Sequence, residues 1–135
     1  MKVALAQLEI ELAAVAKNRA KVVDCAAQAA AAGADVLVLP ETWNLGFFPQ
    51  ENLSDLAEPE GGESKNLLAA LAAKHKMNIV GGSIITKKGG DVYNTAYVFD
   101  RQGNQLAEYD KIHGFSPSGE HLHFKHGQEL CLFEL

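Results

Sequence analysis

The spacing of apolar positions predicts that the chain opens with a strand, a helix and a second strand. Residues 2–8 are a short apolar run, and Val36 to Leu39 is an unbroken apolar run typical of a strand covered on both faces. Between them, residues 12–32 repeat apolar positions at helical spacing. That stripe consists of Val15, Val22, Val23, Ala26 and Ala30. Gly33 follows as the helix stop. Strand, helix and strand normally form a parallel pair joined by a right-handed crossover.

The remainder of the chain predicts a long loop, a second helix and a meander of strands. Residues 44–62 contain two prolines and three glycines and are expected to be a loop, long enough to suggest a function. Ser64 is the expected N-cap of a helix that ends near Lys76. Further strands are predicted over residues 77–86, 91–99, 105–109 with a continuation to 113, and 130–135, with turns at 87–90 and 100–104.

A glycine pair, Gly81 and Gly82, interrupts the predicted strand over residues 77–86. Glycine inside a strand weakens packing, so it often marks a bend or a close approach by a ligand or another backbone. A simple β-bulge explains the same pattern.

Composition narrows the class of protein. A chain of 135 residues with 47% apolar residues fits one globular domain. A net charge of −5 without a basic block argues against nucleic acid or an anionic membrane surface as partner. No apolar run reaches the roughly 20 residues that span a bilayer, and the N-terminus lacks the apolar core of a signal peptide.

The two cysteines predict the redox setting. Cys25 lies on the buried side of the first helix, and Cys131 lies inside the apolar run at residues 130–135. Both are expected to be packed, free thiols in a protein of the reducing cytoplasm.

Glu41 is the first candidate for chemistry. It follows the buried strand and Pro40, which cannot donate to a β-ladder. Functional groups of α/β proteins gather beyond the carboxyl ends of strands. With aromatic residues nearby in the sequence, Glu41 is a candidate general acid or base, the alternative being a solvated loop glutamate.

Four short motifs, taken in order, resemble the nitrilase superfamily of carbon–nitrogen hydrolases. They are LPETW at 39–43, IVGGS at 79–83, YNTA at 93–96 and YDKIH at 109–113, with Gly103 between the last two. The resemblance covers the N-terminal half of a usual family domain. It implies an α/β fold, half of an α-β-β-α sandwich, with a mixed sheet and helices on one face. Residues 1–135 would then be the N-terminal portion of a single domain.

The resemblance also implies a Glu-Lys-Cys catalytic set that works without a cofactor or metal. Glu41 matches the general base, Lys111 the catalytic lysine, and Glu120 a second, supporting glutamate. The nucleophilic cysteine normally follows the lysine by roughly thirty-odd residues on a strand-to-helix turn, which falls past Leu135. Cys131 comes too early, so the 135-residue chain is expected to be inactive alone.

The implied substrate is a small-molecule amide or nitrile rather than a peptide. Four aromatic residues are candidates for lining the pocket, although aromatic residues near loops are as often packing residues. They are Trp43, Phe47, Phe48 and Phe115.

Two other interpretations stay open. His113, His121, His123 and His126 are clustered, and His121 and His123 would share one face of a strand and could chelate a metal. The chain could instead be a short non-catalytic paralogue that binds amides or a partner. Half a sandwich leaves strand edges and a sheet face uncovered, which predicts a homo-oligomer or pairing with the missing C-terminal half.

Overall fold

In a computed structural model that describes residues 1–47 and 51–135, a single mixed sheet forms the centre of the fold. Its strands in the described residues are β1 (Val3–Leu5), β2 (Val36–Val38), β3 (Glu58–Pro59), β4 (Asn78–Lys88), β5 (Asp91–Phe99) and β6 (Gln105–Asp110). Their order is β1-β2-β4-β5-β6, and β3 pairs with β4 beside this path. The pairs β1–β2, β2–β4 and β3–β4 are parallel, and β4–β5–β6 is an antiparallel meander. The predicted parallel opening and the meander are confirmed.

Helices cover one face of the sheet. The described helices are α1 (Val15–Ala31), α2 (Leu53–Leu56), α3 (Gly62–His75), α4 (Glu120–His123) and a 3-10 turn at Ser116–Ser118. Leu37, Ile79 and Phe99 are register partners across β2, β4 and β5, so they share a face, and they lie in one buried cluster with Val22 of α1 and Leu68 of α3. The predicted mixed sheet with helices on one face is therefore confirmed. Among the described residues, none of the helices combines the length and hydrophobicity that crossing a bilayer requires.

Helix α1 begins three residues later than predicted. Ala13 has a φ of 55°, in the left-handed region, which does not continue into a right-handed helix. The fully buried stripe is also shifted slightly, because Asn18 and Ala29 belong to it while Val15, Val23 and Ala30 are only half-buried. Gly33 ends the helix with a φ of 71°, as predicted.

The segment over residues 44–62 is not the structureless loop that was predicted, because it contains α2 and β3. Ser64 is also not the N-cap of α3, which is Gly61. Ser64 lies in the first turn, where its N–H and its hydroxyl donate to the carboxylate of Glu58 at 2.9 and 2.5 Å. A carboxylate from the preceding strand thus takes the capping role expected of the serine.

The two ends of the chain form less strand than predicted. Only Val3 to Leu5 pair with β2, and Leu5 at this sheet edge is 78% exposed. The strand predicted over residues 130–135 is absent, and Leu130 and Leu132 are 86% and 96% exposed. An apolar run forms a strand only where another strand offers its N–H and C=O groups, and no described strand pairs with this one.

Candidate active site

A tight turn after β2 presents Glu41, and β4 holds that turn in place. The contacts come from Ser83, whose N–H donates to the Pro40 carbonyl at 3.2 Å and whose hydroxyl accepts the Thr42 N–H at 2.9 Å. Its carbonyl accepts the Trp43 N–H at 3.2 Å. Three hydrogen bonds on both sides of Glu41 therefore fix the backbone that carries the carboxylate.

The glycine pair makes this contact possible. A Cβ on Gly82, whose φ is 58°, would lie 1.9 Å from the carbonyl oxygen of Pro40, and a Cβ on Gly81 would lie 2.6 Å from Leu68 Cδ1. The register of β4 on β5 shifts between Val80 and Ser83, which marks a β-bulge. Both sequence interpretations hold, since the pair forms a bulge and lets another backbone approach closely.

Lys111 reaches Glu41 from the end of β6. The Lys111 N–H donates to the Asn94 carbonyl at 2.9 Å, which continues the β5–β6 pairing by one residue. Its Nζ then donates to Glu41 Oε1 at 2.8 Å. Two residues 70 positions apart in the chain meet at one point, as the sequence motifs predicted.

Glu120 completes a row of charges. It opens α4, is only 4% exposed, and accepts the Phe115 N–H through Oε2 at 2.5 Å. Its Oε2 and Oε1 lie 3.0 and 3.1 Å from Lys111 Nζ. Lys111 therefore sits between a buried carboxylate and the half-exposed carboxylate of Glu41.

Asn94 is a site residue that sequence reasoning did not single out. Its Nδ2 donates to Glu41 Oε1 at 2.8 Å, although the residue is only 4% exposed. Its signal in the sequence is a polar amide inside a strand, at a place where an apolar residue would be ordinary. A cavity of about 180 Å³ opens at this point, lined by Glu41, Ser83, Asn94, Ala96, Tyr109 and Lys111.

The charges of the pair are stabilised by their contacts. Burial opposes ionisation of Glu41, but hydrogen bonds from Lys111 and Asn94 outweigh it and lower the pKa of that carboxyl. Burial likewise opposes the Lys111 charge, and the hydrogen bonds to Glu41 and Glu120 outweigh it and raise the pKa of Lys111. At neutral pH the site therefore holds an ionised carboxylate next to a cation.

Of the aromatic residues predicted to line the pocket, the three that the structure describes lie away from this cavity. Trp43 was predicted to line the pocket, but it is fully buried in the main core, where its Nε1–H donates to the Gly81 carbonyl at 2.8 Å. Phe47 and Phe115 are 63% and 56% exposed, and neither is among the cavity's lining residues. Phe48 lies outside the described residues.

Neither cysteine joins the candidate site. Cys25 packs against the main core as predicted, and burial raises the pKa of its thiol. Cys131 is free and half-buried like Cys25, but it packs against neither buried cluster of the described residues, so its interpretation as a packed core thiol was wrong. It lines a different cavity of about 550 Å³, and among the described residues Tyr109 alone lines both this cavity and the one at Glu41. The cytoplasmic setting stays a prediction.

The histidines lack the arrangement that a metal site needs. His121 and His123 lie on helix α4 rather than on a strand, and residues two apart on a helix do not face each other. The Nδ1–H of His126 donates to the Ile112 carbonyl at 2.6 Å. Within residues 1–47 and 51–135, no group of three His, Cys, Asp or Glu residues is placed to hold a metal ion. The premise of the metal-binding interpretation was therefore wrong.

Comparison with known sequences gives a consistent result. The family model for carbon-nitrogen hydrolases matches residues 2–132. A 2-oxoglutaramate amidase from Bacillus subtilis (strain 168) is 44% identical over 102 residues, covering 76% of this chain and 39% of that protein. A hydrolase in the agr operon of Staphylococcus aureus is 34% identical over 131 residues, covering 97% of this chain and 50% of that protein.

Solved structures agree with the fold. XC1258 from Xanthomonas campestris, a CN-hydrolase superfamily protein with an arsenic adduct in its active site, matches with a TM-score of 0.85 at 29% identity, over 96% of this chain and 48% of that one. A mutant amidase from Nesterenkonia sp. AN1, with acrylamide added at its active-site cysteine, matches with a TM-score of 0.83 at 25% identity, over 96% and 50%. The chain spans half or less of the length of these four proteins.

Proposed function

We propose, since this chain belongs to the carbon–nitrogen hydrolase family, that it supplies the acid–base and oxyanion groups of an amidase acting on a small non-peptide amide. The observation that carries the proposal is the 2.8 Å contact between Lys111 Nζ and Glu41 Oε1, two residues that line the same cavity. Glu41 and Lys111 come from separate strand ends, and the fold uses a bulge and three backbone-directed hydrogen bonds to place the first of them.

Each charged residue has one task in the proposed reaction. Glu41 takes the proton of a thiol, the thiolate attacks the amide carbon, and Lys111 stabilises the oxyanion that forms. Glu41 then gives the proton to the leaving amine and activates the water that hydrolyses the thioester. Glu120, buried and fixed by the Phe115 N–H, holds the Lys111 ammonium group in place.

We propose that the thiol comes from outside residues 1–135. Neither Cys25 nor Cys131 lines the cavity at Glu41 and Lys111. The chain covers 39% of the B. subtilis relative and 50% of the S. aureus relative, so those proteins have length in which to carry a nucleophile. Residues 1–135 would then be the N-terminal portion of one catalytic domain and inactive alone.

An amide is a better supported substrate than a nitrile. The B. subtilis relative is a 2-oxoglutaramate amidase, and the structural neighbour from Nesterenkonia is an amidase. The cavity of about 180 Å³ suits a small acyl group. We therefore expect hydrolysis of a short-chain amide with release of ammonia.

A chimera tests the function directly. Residues 1–135 are joined at Leu135 to the C-terminal part of the B. subtilis relative, and ammonium release from 2-oxoglutaramate is measured. We expect turnover by the chimera and none by residues 1–135 alone. In the chimera, Glu41→Gln and Lys111→Met should each lower kcat by roughly a hundredfold or more. Lys125→Met, which removes an exposed lysine paired with Asp91, should leave the rate unchanged.

Different failures have different meanings. Ammonium release by residues 1–135 alone, abolished by Glu41→Gln, would contradict the external nucleophile. A chimera whose rate is insensitive to Glu41→Gln would contradict the role of that carboxylate. A folded but inert chimera would favour the non-catalytic paralogue.

The exposed C-terminal run supports association with a second half or a second copy. Leu130 and Leu132 are 86% and 96% exposed, and apolar side chains in such a run favour burial in an interface. We expect the isolated chain to sediment as a species of at least twice 14.5 kDa. The variant carrying Leu130→Glu and Leu132→Glu should sediment as a monomer, and an unchanged mass would exclude this run as the interface.

A further inference from the structure

One residue contacts both partners of the Glu41–Lys111 pair. Asn94 lies in β5, and its backbone carbonyl accepts the Lys111 N–H at 2.9 Å. Its side-chain Nδ2 donates to Glu41 Oε1 at 2.8 Å. The buried residue Asn94 therefore fixes both the backbone of Lys111 and the carboxylate of Glu41 relative to the sheet.

The two oxygens of Glu41 are not equivalent. Lys111 Nζ and Asn94 Nδ2 both donate to Oε1. None of the described residues donates a hydrogen bond to Oε2. The Glu41 side chain is 56% exposed and lines the cavity, so the carboxylate that carries this second oxygen is open to solvent.

We propose that Asn94 is a positioning residue that holds Glu41 by Oε1 and so leaves Oε2 as the oxygen that exchanges protons. This deepens the proposed function and rests on it for its catalytic consequence. A lysine is a point charge on a flexible stem and fixes no orientation of a carboxylate by itself. An amide anchored on a central strand has a fixed N–H direction, so the two donors together define which oxygen faces the cavity.

The chemistry of the contact agrees with this assignment. An amide N–H can only donate, so it stabilises the ionised carboxylate, the form that can accept a proton. Burial alone would raise the pKa of Glu41, but the hydrogen bonds from Lys111 and Asn94 outweigh burial and lower the pKa. Asn94 contributes this without adding a charge near the substrate.

A pH titration of the 135-residue chain tests the placement without any turnover. The Glu41 carboxyl signal is followed by carbon-13 NMR and assigned by its loss in Glu41→Gln. Asn94→Ala should raise the pKa of Glu41, and Asn94→Asp should raise it further because one carboxyl would face another. The Lys111 amide should keep its protection from hydrogen exchange, since its acceptor is the backbone of residue 94.

Asn104 provides a matched control. Its Nδ2 donates to the carboxylate of Asp100 at 2.9 Å in an exposed turn, so Asn104→Ala removes the same kind of bond from a different carboxylate. Hydrogen bonds from Asn104 lower the pKa of Asp100, so Asn104→Ala should raise the pKa of Asp100. The same substitution should leave the pKa of Glu41 unchanged. A Glu41 pKa unchanged in Asn94→Ala, with the Lys111 amide still protected, would overturn the proposal. If Asn94→Asp does not fold, Asn94→Ala alone decides.

The catalytic consequence is read in the chimera. Asn94→Ala should lower kcat by roughly ten- to a hundredfold and move the acidic limb of the kcat/KM profile to higher pH. A purely structural role would lower the amount of active protein without moving that limb. A shifted titration with an inert chimera would retain the placement and reject the function. An active chimera whose acidic limb does not move would reject the positioning role alone.

Discussion

Two glutamates of this chain have the same kinds of partner, but one is sealed and the other is open. Glu58, 7% exposed, uses both oxygens: Oε1 accepts from Asn44 Nδ2 at 3.0 Å and from the Ser64 hydroxyl, and Oε2 accepts from Arg19 Nη2 at 2.8 Å and from the Ser64 N–H. These contacts join α1, β3 and α3. A carboxylate with all its neighbours inside the protein has no oxygen left for a substrate.

Glu41 shares the pattern of one cation and one asparagine, but its hydrogen bonds to the described residues use a single oxygen. Lys111 and Asn94 both bind Oε1, and the side chain is 56% exposed at a cavity. The set of partners therefore does not separate structural from chemical carboxylates. What separates them is whether an oxygen is left without a donor beside open space.

The largest effect on folding is expected when Glu58 is removed. Glu58→Ala leaves Arg19, Asn44 and the Ser64 N–H without their buried acceptor, so the free energy of unfolding should fall by about 3–5 kcal/mol. Urea denaturation measures it. The matched control is Glu63→Ala, because Glu63 also binds Arg19 but its side chain is 83% exposed, and its loss should change stability little. Equal losses in the two variants would mean that the burial of Glu58 adds nothing to its contribution to stability.

A smaller loss is expected for Lys111→Met. Among the described residues, this change leaves Glu120, which is 4% exposed, with the Phe115 N–H as its one hydrogen-bond donor, so the free energy of unfolding should fall by roughly 1–3 kcal/mol. Adding Glu120→Gln to Lys111→Met should restore part of the lost stability, because burying a neutral amide costs less free energy than burying a carboxylate. No recovery in the double variant would mean that Glu120 does not depend on the lysine.

The sequence predicted the open carboxylate better than the sealed one. Glu41 follows a continuous apolar run and a proline, so its place at a strand end could be inferred from that run, and the family resemblance of the ordered motifs pointed to Lys111. Glu58 lies where prolines and glycines indicate a loop, and its partners are 6 to 39 positions away, so no local pattern reveals them. Long-range pairing of single polar residues leaves no periodic signal.

The C-terminal run shows a second limit of sequence patterns. Residues 130–135 have the apolar character of a strand, but a strand also needs a neighbour, and none of the described strands pairs with them. Hydropathy predicts that a segment is buried, but it does not identify the segment that packs against it. The same reasoning applies to Trp43, whose aromatic character suggested a pocket while its indole fills the core.

The smallest expected effect concerns the stability contributed by Glu41 itself. Its pKa is lower in the folded chain than the ordinary value of 4.5, so ionisation stabilises the fold above about pH 4.5, and this contribution is lost as pH falls through the lower, folded pKa. Because the pair is half-exposed, Glu41→Gln should cost below about 1 kcal/mol at pH 7, and the difference from the wild type should shrink toward pH 3. Urea denaturation at pH 7, 5 and 3 measures it, with the same substitution in the Lys111→Met chain as the control, where the pH dependence should be weaker. A cost that grows on acidification would show that the open carboxylate is held by something other than its two donors.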